Sequence, residues 1–186
     1  MPLSAAAPRE HIHTRRLEMR GYRREDGLWD IEGHLTDTKS YSFESEFRGE
    51  VVADEPIHDM WLRLTVDDRM TIRAVEAVTD DSPYRVCPEI TPNFQRLVGL
   101  QIRAGFNAKV RELLGGVEGC THLVEMIAPL ATTAFQTIFP WRARFAASEA
   151  HRPAGKRPAL LDTCHAFDAE GELARRLWPD YVSKSS

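Results

Sequence analysis

The sequence has few cysteines and no long hydrophobic run. Its 186 residues include Cys87, Cys120 and Cys164, an odd number without C-x-x-C spacing, which disfavours a disulfide framework. No stretch is apolar over the roughly 20 residues needed to cross a bilayer. The first ten residues lack the basic start and apolar core of a signal peptide. We therefore expect a reduced, cytoplasmic protein that does not act at a membrane.

A large excess of charge is also missing. The formal net charge is −4 and the pI is about 6.0, whereas nucleic-acid-binding domains usually present a strongly basic face. An early cluster of arginines is expected to be solvated: Arg15, Arg16, Arg20, Arg23 and Arg24. P-loop, G-x-G-x-x-G and G-x-S-x-G motifs are absent. We expect no nucleic-acid partner and no nucleotide cofactor.

The residue pattern changes near residue 90, from strand-like to helix-like. Apolar alternation predicts strands within 11–20, 28–36, 41–52, 57–66 and 70–79. Helical spacing predicts helices from Pro92, over 107–114 and over 120–139. A last strand (159–167) and a terminal helix (170–182) complete the prediction. Strands followed by helices are typical of an α+β fold. We expect an antiparallel sheet from the N-terminal half plus a C-terminal strand, covered by helices from the second half.

The length suits one domain. We expect a disordered N-terminus over residues 1–10 and a single α+β domain over 11–182. Within that domain, residues 11–88 are sheet-rich, residues 89–146 are helix-rich, and residues 159–182 supply the C-terminal strand and helix.

A histidine and a glutamate on apolar strand faces form the first candidate site. Because alternate strand residues share a face, His58 lies with Met60, Leu62 and Leu64. On the partner strand, Glu76 lies within the apolar face of residues 70–78. A three-residue loop would place Glu76 opposite Met60 and diagonal to His58. Since a buried carboxylate needs a proton or a cation, the pair predicts a general base oriented by Glu76. The alternative is a structural ion pair of Glu76 with Arg63 or Arg73.

The second candidate site is the start of the helix predicted over 120–139. Free amide groups there stabilise anions, so Cys120 can be a thiolate nucleophile, and Gly119 and Thr121 can bind an anionic substrate group. A simple cap at Thr121 is the alternative. His122 and Glu125, three residues apart, share one side of the helix. They suit proton transfer or metal binding, or they form an exposed, mutually satisfied pair.

Other polar residues are assigned to solvent. His11 and His13 share a strand face, which is compatible with metal binding, but so near the terminus we expect them to be solvated. The second strand region is acidic, and its carboxylates form either a metal-binding rim or the solvent face, which we favour: Asp26, Asp30, Glu32 and Asp37.

Six stretches carry a family resemblance. They are His-Thr-Arg (13–15), Asp-Gly-Leu-Trp-Asp-Ile-Glu-Gly (26–33), Asp-Thr-Lys (37–39), Pro-Ile-His-Asp-Met (56–60), Gly-Cys-Thr-His-Leu (119–123) and Ala-Thr-Thr-Ala-Phe-Gln (131–136). With them the sequence resembles, over roughly residues 11–140, a bacterial family catalogued only as a domain of unknown function. Its members are often encoded near genes for catabolism of aromatic compounds or acyl-CoA, so the resemblance implies a small-molecule role. It assigns no catalytic residues.

The leading hypothesis is a catabolic enzyme that uses acid–base chemistry, in a lyase, isomerase or hydrolase step on an aromatic or acyl substrate. His58 would be the base, oriented by Glu76, and His122 the acid or electrophile. Cys120 is a further nucleophile candidate.

Two alternatives stay open. The first is a metal-dependent enzyme, with a divalent ion such as Zn, Mn or Fe on mixed nitrogen and oxygen ligands from His58, Glu76, His122 and Glu125. The second is a non-catalytic ligand-binding or accessory protein, with Trp29 and Trp61 lining an apolar cavity. The expected partner is a small-molecule substrate, and a homo-oligomer is compatible with the sequence.

Overall fold

The computed structural model describes residues 3–146, 157–158 and 160–182. The chain divides into two compact units, Met1–Arg144 and Phe145–Ser186. In the described part of the second unit, a 3₁₀ helix (His165–Phe167) precedes α3 (Glu172–Leu177). The single domain over residues 11–182 stays a prediction.

The first unit is built on a four-stranded antiparallel sheet of order β1-β2-β5-β6. Its strands are β1 (His13–Arg23), β2 (Trp29–Lys39), β5 (Pro56–Val66) and β6 (Ile72–Asp81). A small hairpin, β3 (Phe43–Ser45) and β4 (Gly49–Val51), lies between β2 and β5 in the chain. After β6 come a 3₁₀ helix (Cys87–Leu97), α1 (Phe106–Leu114), a 3₁₀ turn (Gly116–Glu118) and α2 (Thr121–Ala146). The predicted α+β fold with an antiparallel sheet is confirmed.

Strand β2 follows the predicted alternation. Trp29, Ile31 and Leu35 are buried in the core, while Asp30, Glu32 and His34 on the other side are half-buried. The same alternation continues to Asp37, which is also buried. We call the face of the sheet that packs into the core the inner face. The carboxylate of Asp37 lies at one end of this face.

Helix α2 packs on the inner face, and glycines let it approach closely. A Cβ at Gly33 of β2 would lie 3.3 Å from Leu130 Cδ2, and one at Gly21 of β1 would lie 1.9 Å from Thr137 Oγ1. The first turn of α2 lies beside Asp37, with His122 Nε2 3.9 Å from Asp37 Oδ2. The helix therefore runs antiparallel to β2. No helix in the described ranges is long and apolar enough to cross a membrane.

The β5–β6 hairpin contains a bulge that overturns the predicted register. Thr65 pairs with Ala74 but Val66 pairs with Ile72, which leaves Arg73 as an extra residue. One inserted residue moves every following side chain to the opposite face. Val75 is therefore buried, and Glu76 is exposed opposite Arg63 rather than opposite Met60.

Three other predicted elements differ from the structure. The helix from Pro92 is a 3₁₀ helix that ends at Leu97, since Pro88 and Pro92 lack the amide hydrogens of a regular α-helical ladder. Helix α3 ends at Leu177, just before the residue that precedes Pro179, a position that disfavours helical backbone. The C-terminal strand over 159–167 is wrong: residues 160–167 form turns and a 3₁₀ helix, and residue 159 lies outside the described residues.

We predict that Gly21→Ala lowers the free energy of unfolding by about 1–3 kcal/mol, the usual range for overpacking a core. A Cβ at this position meets the Cβ of Thr137 at 2.8 Å, so side-chain rotation does not relieve the contact fully. Chemical denaturation measures the effect. Gly21→Ala with Thr137→Ala should recover part of the loss, because two of the three contacting atoms are removed. A single variant as stable as the wild type would contradict the close packing of α2 on β1.

Candidate functional site

Three residues form a row across adjacent strands at one end of the inner face. Arg15 of β1 pairs in register with Asp37 of β2, and Asp37 pairs with His58 of β5. Directly paired residues on neighbouring strands point to the same side, so the three side chains meet. The first turns of α2 lie over this row and contribute His122 and Glu125. The Asp37 site denotes these five residues together with His13.

Asp37 is the centre of this site. Its side chain is only 3 % exposed, yet both carboxylate oxygens are fully hydrogen-bonded. Arg15 donates from Nε to Oδ1 and from Nη2 to Oδ2, each at 2.8 Å. His13 Nε2 lies 2.9 Å from Oδ1, and His58 Nδ1 lies 3.0 Å from Oδ2. The carboxylate therefore fixes both the Arg15 side chain and the His58 ring.

Arg15 also joins the helix to the sheet. Its Nη1 donates to Glu125 Oε2 at 2.6 Å, so one guanidinium bridges a buried carboxylate and a half-exposed one. With neutral histidines, the Asp37 site carries one positive and two negative charges. This balance favours a proton, a cation or a hydrogen-bond donor as a further occupant.

The two imidazoles of the site are in contact. The His58 and His122 rings have centroids 3.8 Å apart and are tilted by 32°. Their side chains are 14 % and 26 % exposed, so neither ring is fully buried. Cys120, whose carbonyl accepts the first α2 hydrogen bond from Val124, places its Sγ 3.9 Å from His122 Nδ1. A thiol, two imidazoles and a carboxylate thus lie within one small region.

The surroundings shift the pKa values of Asp37, His58 and His122. Burial alone would raise the pKa of Asp37, but the hydrogen bonds and charge of Arg15, with His58 and His13, lower it below its usual range. Burial lowers the pKa of His58, and nearby His122 adds to this effect against the opposing pull of Asp37. Burial also lowers the pKa of His122, assisted by the charge of Arg15. The arrangement is an ionised carboxylate beside two neutral imidazoles.

The same three residues have the composition of a metal site. Asp37, His58 and His122 each offer one ligand atom, and these atoms lie within 4.8 Å of one another. The predicted ligand set had His58 and His122 in common with this group, but it used Glu76 where the structure has Asp37. Glu125 reaches the group through Arg15.

Glu76 and the two tryptophans lie away from this site. Glu76 is on the opposite sheet face in an ion pair with Arg63, so the predicted orientation of His58 by Glu76 is wrong, and the alternative structural pair with Arg63 is observed. Trp61, also on that outer face, stacks on His34 with ring centroids 3.7 Å apart. Trp29 is buried at the far end of β2 and donates to Asp68. The tryptophans do not line a common cavity with His58.

Gly119 and Thr121 flank Cys120 at the start of α2. A Cβ at Gly119 would lie 2.2 Å from the Leu114 carbonyl oxygen, so this glycine is needed for close chain packing. Thr121 is the exposed first residue of α2. Their roles in substrate binding stay predictions.

The sequence patterns predict solvent-exposed positions for three members of the site: His13, Arg15 and Asp37. For Asp37 this assignment is wrong, because it is buried. The signal was present, since Asp37 continues the series Trp29, Ile31, Gly33, Leu35 at a spacing of two. Four stretches that carry the family resemblance, 13–15, 37–39, 56–60 and 119–123, meet at this carboxylate.

We predict that Asp37→Asn lowers the free energy of unfolding at pH 7 by about 3 kcal/mol, because Arg15 loses a buried charged partner. The lowered pKa of Asp37 stabilises the folded state above the unfolded-state pKa of about 3.9, and the effect is lost as pH falls through the folded-state value. The difference in the free energy of unfolding between wild type and variant should therefore shrink below about pH 4. Urea unfolding from pH 7 to pH 3 measures this, and a difference independent of pH would contradict it.

Comparison with known proteins identifies the family. The family described as "Protein of unknown function (DUF2889)" matches residues 13–136, a range that includes every residue of the Asp37 site. No curated protein and no solved structure matches the chain. The range covers most of the chain and all of the four-stranded sheet, and the chain therefore belongs to this family of unknown function.

Proposed function

We propose that the protein is an enzyme that transfers protons on a small molecule, with His58 as the general base. The observation that carries this proposal is the hydrogen bond between His58 Nδ1 and the buried carboxylate of Asp37, at 3.0 Å. In a neutral imidazole one nitrogen donates and the other accepts. When Nδ1 donates to Asp37, Nε2 keeps a free lone pair and can take a proton.

Asp37 has two effects on this base. It fixes the ring orientation and tautomer of His58, and it stabilises the imidazolium that forms when Nε2 takes a proton. Arg15 keeps the carboxylate ionised through two hydrogen bonds. Asp37 thus replaces Glu76 in the orienting role, while the base itself is the residue predicted from the sequence.

His122 supplies the second function of an acid–base site. Its ring lies against His58, so a substrate at Nε2 of His58 is also within reach of His122. A neutral imidazole can donate an N–H hydrogen bond to a substrate oxygen and stabilise the negative charge that develops there. Cys120, 3.9 Å from His122, is not required for this step.

The reaction class is a lyase, isomerase or hydrolase step, each of which begins with removal of a proton from carbon, a hydroxyl group or water. An aromatic or acyl substrate is proposed from the family resemblance and not from the geometry of the Asp37 site. A cytoplasmic location is proposed from the unpaired cysteines.

We predict that the protein catalyses hydrogen–deuterium exchange at an acidic C–H position of at least one compound in a panel of aromatic ketones, aryl acids and acyl thioesters. Incubation in D₂O followed by mass spectrometry detects this partial reaction without knowledge of the full one. His58→Gln should reduce the exchange rate by about 10²–10⁴-fold, the usual contribution of a general base. Asp37→Asn should reduce it as well, because the tautomer of His58 is no longer fixed.

The matched control is His34→Gln. His34 Nε2 lies 2.7 Å from Asp59 Oδ1, so it is also a histidine paired with an aspartate, but on the outer face. The His34→Gln variant should therefore exchange at the same rate as the wild type. Exchange that survives in His58→Gln would contradict the proposed base. A compound that binds at the Asp37 site without any exchange would favour a ligand-binding protein.

A further inference from the structure

The Asp37 site contains three potential metal ligands that come from separate parts of the fold. Asp37 is contributed by β2, His58 by β5 and His122 by α2, and one ligand atom from each lies within 4.8 Å of the others. Two imidazoles and one carboxylate are a mixed nitrogen and oxygen set that suits zinc, iron and manganese. Three protein ligands also leave coordination positions open, which is the usual form of a catalytic metal site.

One ligand–ligand distance matches that of ligands on a single ion, and a second is slightly longer. Ligand atoms about 2.1 Å from one ion lie about 3.0–3.5 Å apart when the angles between them are near octahedral or tetrahedral values. His58 Nδ1 and Asp37 Oδ2 are 3.0 Å apart, within this range. His122 Nε2 and Asp37 Oδ2 are 3.9 Å apart, so His122 would need to approach by about half an ångström.

The charges around these three residues also suit a cation. Arg15 places a positive charge beside Asp37, but it is itself paired with Glu125 at 2.6 Å, so two carboxylates face one guanidinium. His13 and Arg15 hold the other lone pairs of Asp37 and keep its position fixed, as outer hydrogen bonds to metal ligands commonly do. The hydrogen bond from His58 to Oδ2 is the contact that an ion would replace.

We infer that Asp37, His58 and His122 bind one divalent transition-metal ion of the zinc, iron or manganese class. This inference rests on the proposed function for the location of the reaction and deepens it. An ion held by Asp37, His58 and His122 would lower the pKa of a water molecule that it binds. In the metal-bound protein that water would act as the base at this site, and His58, the base of the metal-free protein, would serve as a ligand. Glu76, on the outer face, takes no part.

The test is metal binding to the full-length, untagged protein after removal of metals with a chelator. Zn²⁺ binding is measured by calorimetry and Co²⁺ binding by its visible absorption, both in a buffer that does not bind metals. We expect one ion per chain. His58→Gln and His122→Gln should each weaken binding by about 100-fold or more, since even outer partners of metal ligands contribute about 10–100-fold. The control His34→Gln should bind as the wild type does.

Three results would overturn the inference: no stoichiometric binding of either ion, unchanged binding in both ligand variants, or an equal loss in His34→Gln. His122 is half-exposed on α2, so His122→Gln is the variant best suited to keep the fold, and circular dichroism confirms that it does. Deuterium exchange with and without chelator separates the two proposals. Exchange by a protein that binds no ion overturns the metal site and keeps the proposed function. One bound ion with no exchange in either form keeps the metal site and contradicts the proposed removal of a proton from carbon.

Discussion

The structure depends on one buried charge, the carboxylate of Asp37. A carboxylate on the core face of a sheet is destabilising unless every lone pair has a partner, and here Arg15, His13 and His58 provide them. Antiparallel pairing meets this requirement, because it places Arg15 and His58 directly on either side of Asp37. The contact from Arg15 to Glu125 then ties the start of α2 to the same point.

The functional character of the site follows from this constraint. The partners that stabilise Asp37 also fix the tautomer of His58 and hold His122 against it. Partial burial lowers the pKa of both imidazoles, so the two rings and the carboxylate together can accept a proton or a divalent cation. A histidine–aspartate contact alone does not create such a site. His34 and Asp59 form one on the outer face, but His34 stacks on Trp61 instead of a second imidazole.

The sequence predicted the elements whose pattern is regular and local. The alternation of β2 and the helical spacing of α2 were sufficient for the α+β fold and for His122 in the first turn of α2. What it could not predict was the bulge at Arg73, because an inserted residue leaves no periodic signal and reverses the faces beyond it. That single residue moved Glu76 from the core to the outer face. Asp37 and Arg15 were missed for another reason: each was grouped with neighbouring charges of the same sign, although its position in the strand alternation placed it on the inner face.

The most direct test of this account is the state of the His58 ring in solution. Nitrogen-15 NMR of the metal-free protein reports which ring nitrogen carries the proton and where the ring titrates. The account predicts that neutral His58 carries its proton on Nδ1, hydrogen-bonded to Asp37, and that its pKa lies below that of an ordinary histidine. A proton on Nε2 would contradict the central role of the Asp37 carboxylate, and an ordinary or raised pKa would contradict the burial of the His58 ring beside His122.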